Sequence, residues 1–180
     1  GKTFEGLAII KYFELRNDRV LVLCPKKLRE NWTVYQAQNN SELNPFLEDR
    51  FNYTVLSHTD LSRDSGLSGD IDLSTVNWGN YDLVVIDESH NFRNNTPGAR
   101  DEEGNIVRLS RYERLMNEII KKGVHTKVLL LSATPVNNSL KDLRNQIAII
   151  TEDVDNAFAE SLGIQSVKDS LTIAQRTFTE

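Results

Sequence analysis

The sequence predicts an α/β fold of the wound kind, a mostly parallel sheet flanked by helices on both faces. Two observations carry this expectation. Three of four β-like runs are nearly uninterrupted Val, Leu and Ile, the pattern of strands buried on both faces. Helical patterns lie between the runs, and strands alternating with helices wind into one sheet rather than pairing as hairpins.

The elements follow in order. Gly1-Lys2-Thr3 runs directly into a helical pattern over 4–15. The predicted strands cover 19–24, 53–57, 81–87 and 126–132. Leu28, Trp32 and Tyr35 share one helical face, and Leu109, Tyr112, Leu115 and Ile119 share another. Segments 62–80 and 94–105 are rich in Ser, Gly, Asp and other turn formers and read as surface loops. From 151 to 180 the pattern is polar and weakly helical (Phe158, Leu162, Val167, Leu171). The expected division is therefore a lobe over 1–150, then a helical excursion or linker over 151–180.

Composition narrows the class. A chain of 180 residues suffices for one α/β domain with a real core and is short for two. A net charge of −5 argues against a dedicated basic nucleic-acid module, while leaving room for a few basic residues on one phosphate-facing surface. Cys24 is the only cysteine, so no disulfide forms within the chain, which fits a reducing, cytoplasmic setting. The longest apolar runs, such as 128–131, are strand-length, so no membrane association is expected.

Three strand or helix ends carry chemistry. Gly1-Lys2-Thr3 before a helix reads as the last third of a phosphate-binding loop. In that pattern backbone N–H groups and a Lys cradle phosphates, and the Thr hydroxyl holds Mg²⁺. A tripeptide alone also arises by chance. Leu83-Val84-Val85-Ile86 leads into Asp87-Glu88-Ser89-His90, so two carboxylates stand at the edge where wound α/β folds bind ligands. There Asp87 can hold Mg²⁺ and Glu88 can orient and deprotonate a water; the alternative is a solvated acidic strand end. A third apolar strand ends in Ser132-Ala133-Thr134-Pro135, small hydroxyl residues suited to bonding neighbouring loops.

Taken in order, these segments resemble motifs I, II and III of superfamily-two helicases and translocases. Asp87-Glu88-Ser89-His90-Asn91-Phe92-Arg93-Asn94 looks like the Swi/Snf-type extension of motif II, and Val22-Leu23-Cys24-Pro25 with Asn31-Trp32 is similar to that family's motif Ia. Thr134-Pro135-Val136-Asn137-Asn138 resembles its continuation of motif III. Ser89 departs from the usual Ala or Gly, a small change. Ser132-Ala133 is the helicase-like form of motif III, which points toward a bacterial relative of the chromatin remodellers. Segments 62–80 and 94–107 look like insertions. Trp32 by itself reads sooner as a core residue, since large aromatics are mostly buried.

The resemblance implies a RecA-like lobe truncated within motif I, with a second such lobe missing, so that this stretch alone is inactive. It further implies ATP and Mg²⁺ as cofactors and duplex DNA as the track. Gly1, Lys2 and Thr3 would bind phosphate, Thr3 and Asp87 the metal, and Glu88 would be the base. His90, Ser132, Ala133 and Thr134 would couple the site to DNA, and Lys26, Lys27, Arg93 and Asn94 would touch it. For Lys26 and Lys27 a solvated helix start is an equal alternative. A strand-separating helicase or restriction-system motor shares this ATP site. A non-hydrolysing nucleotide- or DNA-binding scaffold would not need Lys2, Thr3, Asp87 and Glu88 together. His58, His90 and His125 lack metal-ligand spacing.

Overall fold

The computed structural model describes residues 2–36, 51–92, 97–122, 126–132, 140–152, 154–157 and 159–179. Four strands form one sheet: β1 (Val20–Cys24), β2 (Thr54–Ser57), β3 (Leu83–Asp87) and β4 (Lys127–Leu131). Every pairing is parallel, in the order β2-β1-β3-β4. The expected α/β lobe with a parallel sheet is what forms, and each predicted strand lies within two residues of an observed one.

The apolar runs explain why the sheet is a middle layer. Successive strand residues point to opposite faces. Val20, Val22, Cys24, Leu83 and Val85 join Leu7 and Ile10 of helix α1 (Lys2–Glu14) in one core. Leu21, Leu23, Val84 and Ile86 join Leu115, Ile119, Trp78 and Phe92 in the other. A strand with a polar face could not serve both layers, so β1 and β3 carry almost no alternation.

Register sets the functional edge. Cys24 lies opposite Ser57, Leu23 opposite Ile86, and Asp87 opposite Leu131, so all four strands end at one level. Helix α1 runs antiparallel to them. Near its start, Gly6 packs against Leu131 at the carboxyl end of β4, while near its end Glu14 Oε1 accepts a 2.8 Å hydrogen bond from the Asn52 amide, just before β2. Gly6 makes this approach close, since a Cβ would sit a tight 3.2 Å from both Leu131 Cδ1 and Trp32 Cη2.

Three segments differ from expectation. Helix α2 (Arg29–Thr33) follows a 3₁₀ turn, Lys26–Leu28, and is shorter than its apolar pattern suggested. The helix expected from Leu109 starts later: Ser110 caps α3 (Arg111–Glu113) in a reciprocal box with Glu113, and the chain continues as a π-helix, Arg114–Lys121. Segment 62–80 is not a free surface loop. Leu73 and Trp78 enter the core, and Asp60, 4% exposed, gathers the Ser57 amide at 2.8 Å, Ser68 Oγ at 2.5 Å and Arg63 Nη1 at 3.0 Å. Arg114 adds a 3.0 Å hydrogen bond to the Leu61 carbonyl and stacks 5.2 Å from the Trp78 ring. A buried carboxylate needs this density of donors, and supplying them ties the segment to the lobe.

Within the described part of the 94–107 insertion and the residue after it, an exposed two-stranded hairpin forms, Ala99–Arg100 with Ile106–Arg108. After β4 come α4 (Leu140–Ile150), α5 (Ala159–Leu162) and α6 (Val167–Thr179), with α6 packed against α4. No helix among the described residues is long and apolar enough to cross a membrane.

Candidate active site

The carboxyl edge gathers most of the chemistry-bearing residues. β3 delivers Asp87 and then turns sharply, because Glu88 adopts a left-handed backbone (φ 52°). That conformation costs a non-glycine residue on the order of 1 kcal/mol and is found where a side chain must be aimed. The Asn91 amide closes the turn on the Glu88 carbonyl at 3.0 Å.

Within this turn His90 Nδ1 lies 3.1 Å from Glu88 Oε2 and 3.2 Å from Ser132 Oγ. With Glu88 ionised, only a proton on Nδ1 avoids setting a lone pair against the carboxylate. The imidazole then donates to Glu88, with the hydroxyl at the end of β4 as second acceptor. One ring thus joins the ends of two adjacent strands. Glu88 stays about a quarter exposed, accessible to a water.

Asp87 is held on both oxygens. The Glu88 amide donates to Oδ1 at 3.0 Å, and the Trp32 indole N–H donates to Oδ2 at 2.9 Å. An ionised carboxylate has about four acceptor positions. Among the described residues two are used, so the donor chemistry still fits a hard cation or its water shell. Thr3 is half-buried and Lys2 exposed on the first turn of α1, about one turn (roughly 5 Å along the axis) before Gly6. Gly6 packs against the same indole that bonds Asp87, so the ring of Trp32 bridges α1 and the acidic strand end.

Lys26 and Lys27 are exposed in the 3₁₀ turn after β1, at the same edge and one strand over from Asp87. Gly1, Arg93, Asn94, His125, Ala133, Thr134 and the Pro135 to Asn138 stretch lie outside the described residues. Among the described residues no cluster of His, Cys, Asp and Glu forms a ready-made metal site.

Three features escaped the sequence reading. Trp32 is fully buried, yet also bonds the acidic edge. Ser89 is fully buried, and its hydroxyl lies 2.9 Å from Gln146 Oε1 on α4, so this departure from the resembled motif has a partner. His58, 4% exposed, stacks edge-on against Phe92 at 4.8 Å beneath the turn. Burial lowers its pKa to about 4, opposed by the nearby Asp87 and Leu23 carbonyls, so it is neutral at neutral pH. The contacts of Trp32 and Ser89 span more than fifty residues of sequence, a range at which local patterns carry no signal.

A cavity of about 620 Å³ opens at the opposite edge, lined by Glu14, Arg19, Asn52, Thr54 and Tyr81 among others. None of the candidate residues lines it. Its walls are the end of α1, the first residues of β1 and β2, and the 71–81 stretch, away from the start of α1.

No family model matches the chain. It is 30% identical over 158 residues to an uncharacterized ATP-dependent helicase of Bacillus subtilis, covering 83% of this chain and 24% of that protein. It is 26% identical over 160 residues to nucleoside triphosphatase I of Amsacta moorei entomopoxvirus, covering 87% and 23%. With the RNA polymerase-associated protein RapA of Actinobacillus pleuropneumoniae it shares 25% over 200 residues, covering 99% and 19%. The chain thus spans about a quarter or less of the length of these curated relatives. At this low identity, the chain is similar to helicase-like nucleoside triphosphatases.

Proposed function

We propose that this chain is the first ATP-handling lobe of a Swi/Snf-type motor that couples ATP hydrolysis to movement along duplex DNA. The observation that carries the reading is the joined strand end, where Glu88 is held by His90 against Ser132 and beside a doubly bonded Asp87. Similarity to an ATP-dependent helicase and a nucleoside triphosphatase supports the nucleotide class.

In this reading Lys2 grips the β- and γ-phosphates at the start of α1, with Gly1 part of the same loop. Thr3 and Asp87 would hold Mg²⁺. When bound, the metal would neutralise charge on the transferred phosphoryl group. Glu88 orients the attacking water and takes its proton, and His90 fixes the Glu88 carboxylate for that task. His90 passes the state of the site to Ser132, Ala133 and Thr134. A second lobe of the same polypeptide contributes the remaining groups. Lys26, Lys27, Arg93 and Asn94 meet the DNA backbone.

A translocase grips phosphates rather than bases, so its DNA affinity falls steeply with salt and hardly varies with sequence. In the full-length protein, duplex DNA is expected to stimulate ATPase more than single-stranded DNA, with displacement of a triplex strand and no opening of the duplex. Lys26→Ala with Lys27→Ala is expected to lower the slope of log affinity against log salt by roughly two. Efficient unwinding of plain duplex assigns the motor to strand separation instead. DNA binding without any turnover leaves a scaffold.

A further inference from the structure

We propose that Trp32 is a positioning residue for Asp87, an inference that rests on Asp87 being the metal-holding group proposed above. A buried indole N–H requires an acceptor, and a core tryptophan ordinarily finds a carbonyl. Here the acceptor is a carboxylate oxygen at the strand end, 2.9 Å away, across 55 residues of sequence. Such a bond to an ionised partner is stronger and more directional than a neutral one.

The two donors on Asp87 act together. Trp32 holds Oδ2 and the Glu88 amide holds Oδ1, which fixes the plane of the carboxylate and, among the described residues, leaves one acceptor position on each oxygen. Without the indole N–H, the carboxylate is free to rotate about its side-chain bonds.

The indole is itself immobilised. The Tyr53 hydroxyl donates to the Trp32 carbonyl, and the Tyr53 ring meets the indole edge-on at 6.2 Å and 84°. On the other side Gly6 lets α1 close onto the ring. The same residue therefore contacts both α1, at Gly6, and the Asp87 carboxylate. A tryptophan serving only as core would need its shape but not its N–H, and that difference can be measured.

The test uses the full-length protein with Trp32→Phe, and separately with benzothienylalanine at position 32, which keeps the indole shape and replaces N–H by sulfur. Mn²⁺ affinity is read from the free-ion EPR signal in the presence of a non-hydrolysable ATP analogue, alongside the half-saturating Mg²⁺ for turnover. Loss of a hydrogen bond behind a metal-holding carboxylate typically costs 10–100-fold in metal affinity. Both variants are expected to weaken Mn²⁺ binding and raise the Mg²⁺ requirement by about that factor, with metal-free nucleotide affinity within about twofold of wild type. The isostere guards against a Phe variant that fails to fold. Wild-type Mn²⁺ affinity in the isostere, with affinity lost in Asp87→Asn, overturns the role of Trp32 alone. Wild-type affinity in Asp87→Asn overturns the metal reading and this inference with it.

Discussion

Glu88→Gln in the full-length protein is expected to lower ATP turnover by about 10²–10⁴ while leaving ATP binding nearly unchanged, the usual contribution of a positioned base. The substitution preserves shape and removes the negative charge that accepts a proton. It also keeps an amide oxygen for the 3.1 Å approach of His90 Nδ1, so the turn at φ 52° should persist. Lys2→Ala provides the contrast, because Lys2 grips phosphate in the ground state and its loss weakens binding as well as turnover. Kinetics with ATP titrated for both variants separates the two effects, since lost transition-state interactions lower kcat and lost uniform binding raises KM. A Glu88→Gln protein retaining more than half its activity would show that the acidic strand end is only a solvated edge.

The second large effect concerns Cys24. The thiol ends β1 with no exposed surface, and burial together with the negative charge of Asp87 pushes its pKa up to about 12, with Arg29 opposing. Only the thiolate is an efficient nucleophile. A rise of about three pKa units cuts the thiolate fraction near pH 8 by roughly a thousandfold, before any barrier from packing. Alkylation of Cys24 by iodoacetamide is therefore expected to be at least about a thousandfold slower in the folded chain than in denaturant. Rapid labelling under native conditions would mean that the edge between β1 and β2 opens locally.

The sheet was legible because its strands are buried on both faces, so 20–24 and 83–87 read as continuous apolar runs with acidic or small residues marking their ends. The grouping of the candidate residues was legible for the same reason. Asp87, Glu88 and His90 share one short stretch, and its meeting with Ser132 follows from β3 and β4 being neighbours. Periodicity shows which face a residue takes, but not which buried polar atoms meet across layers. The Trp32–Asp87 and Ser89–Gln146 pairs were invisible for that reason. Segment 62–80 misled because its Ser, Gly and Asp content outweighs two residues, Leu73 and Trp78, that enter the core. Asp60, which draws the segment inward, looks in sequence like any surface acid. The π-helical turn left no trace, since Leu115 and Ile119 stay in the core under either winding.

The central claim is that nucleotide binds at the carboxyl edge, with its phosphates at the start of α1 and its metal beside Asp87. The crystal structure of the full-length protein with Mg²⁺ and a non-hydrolysable ATP analogue tests it most directly. The expected result is phosphate density against Lys2 and Thr3, with the metal's water shell within hydrogen-bond reach of Asp87. Nucleotide lodged instead in the amino-edge cavity between Glu14, Asn52 and Tyr81 would contradict the account, because no residue assigned a catalytic role reaches that space.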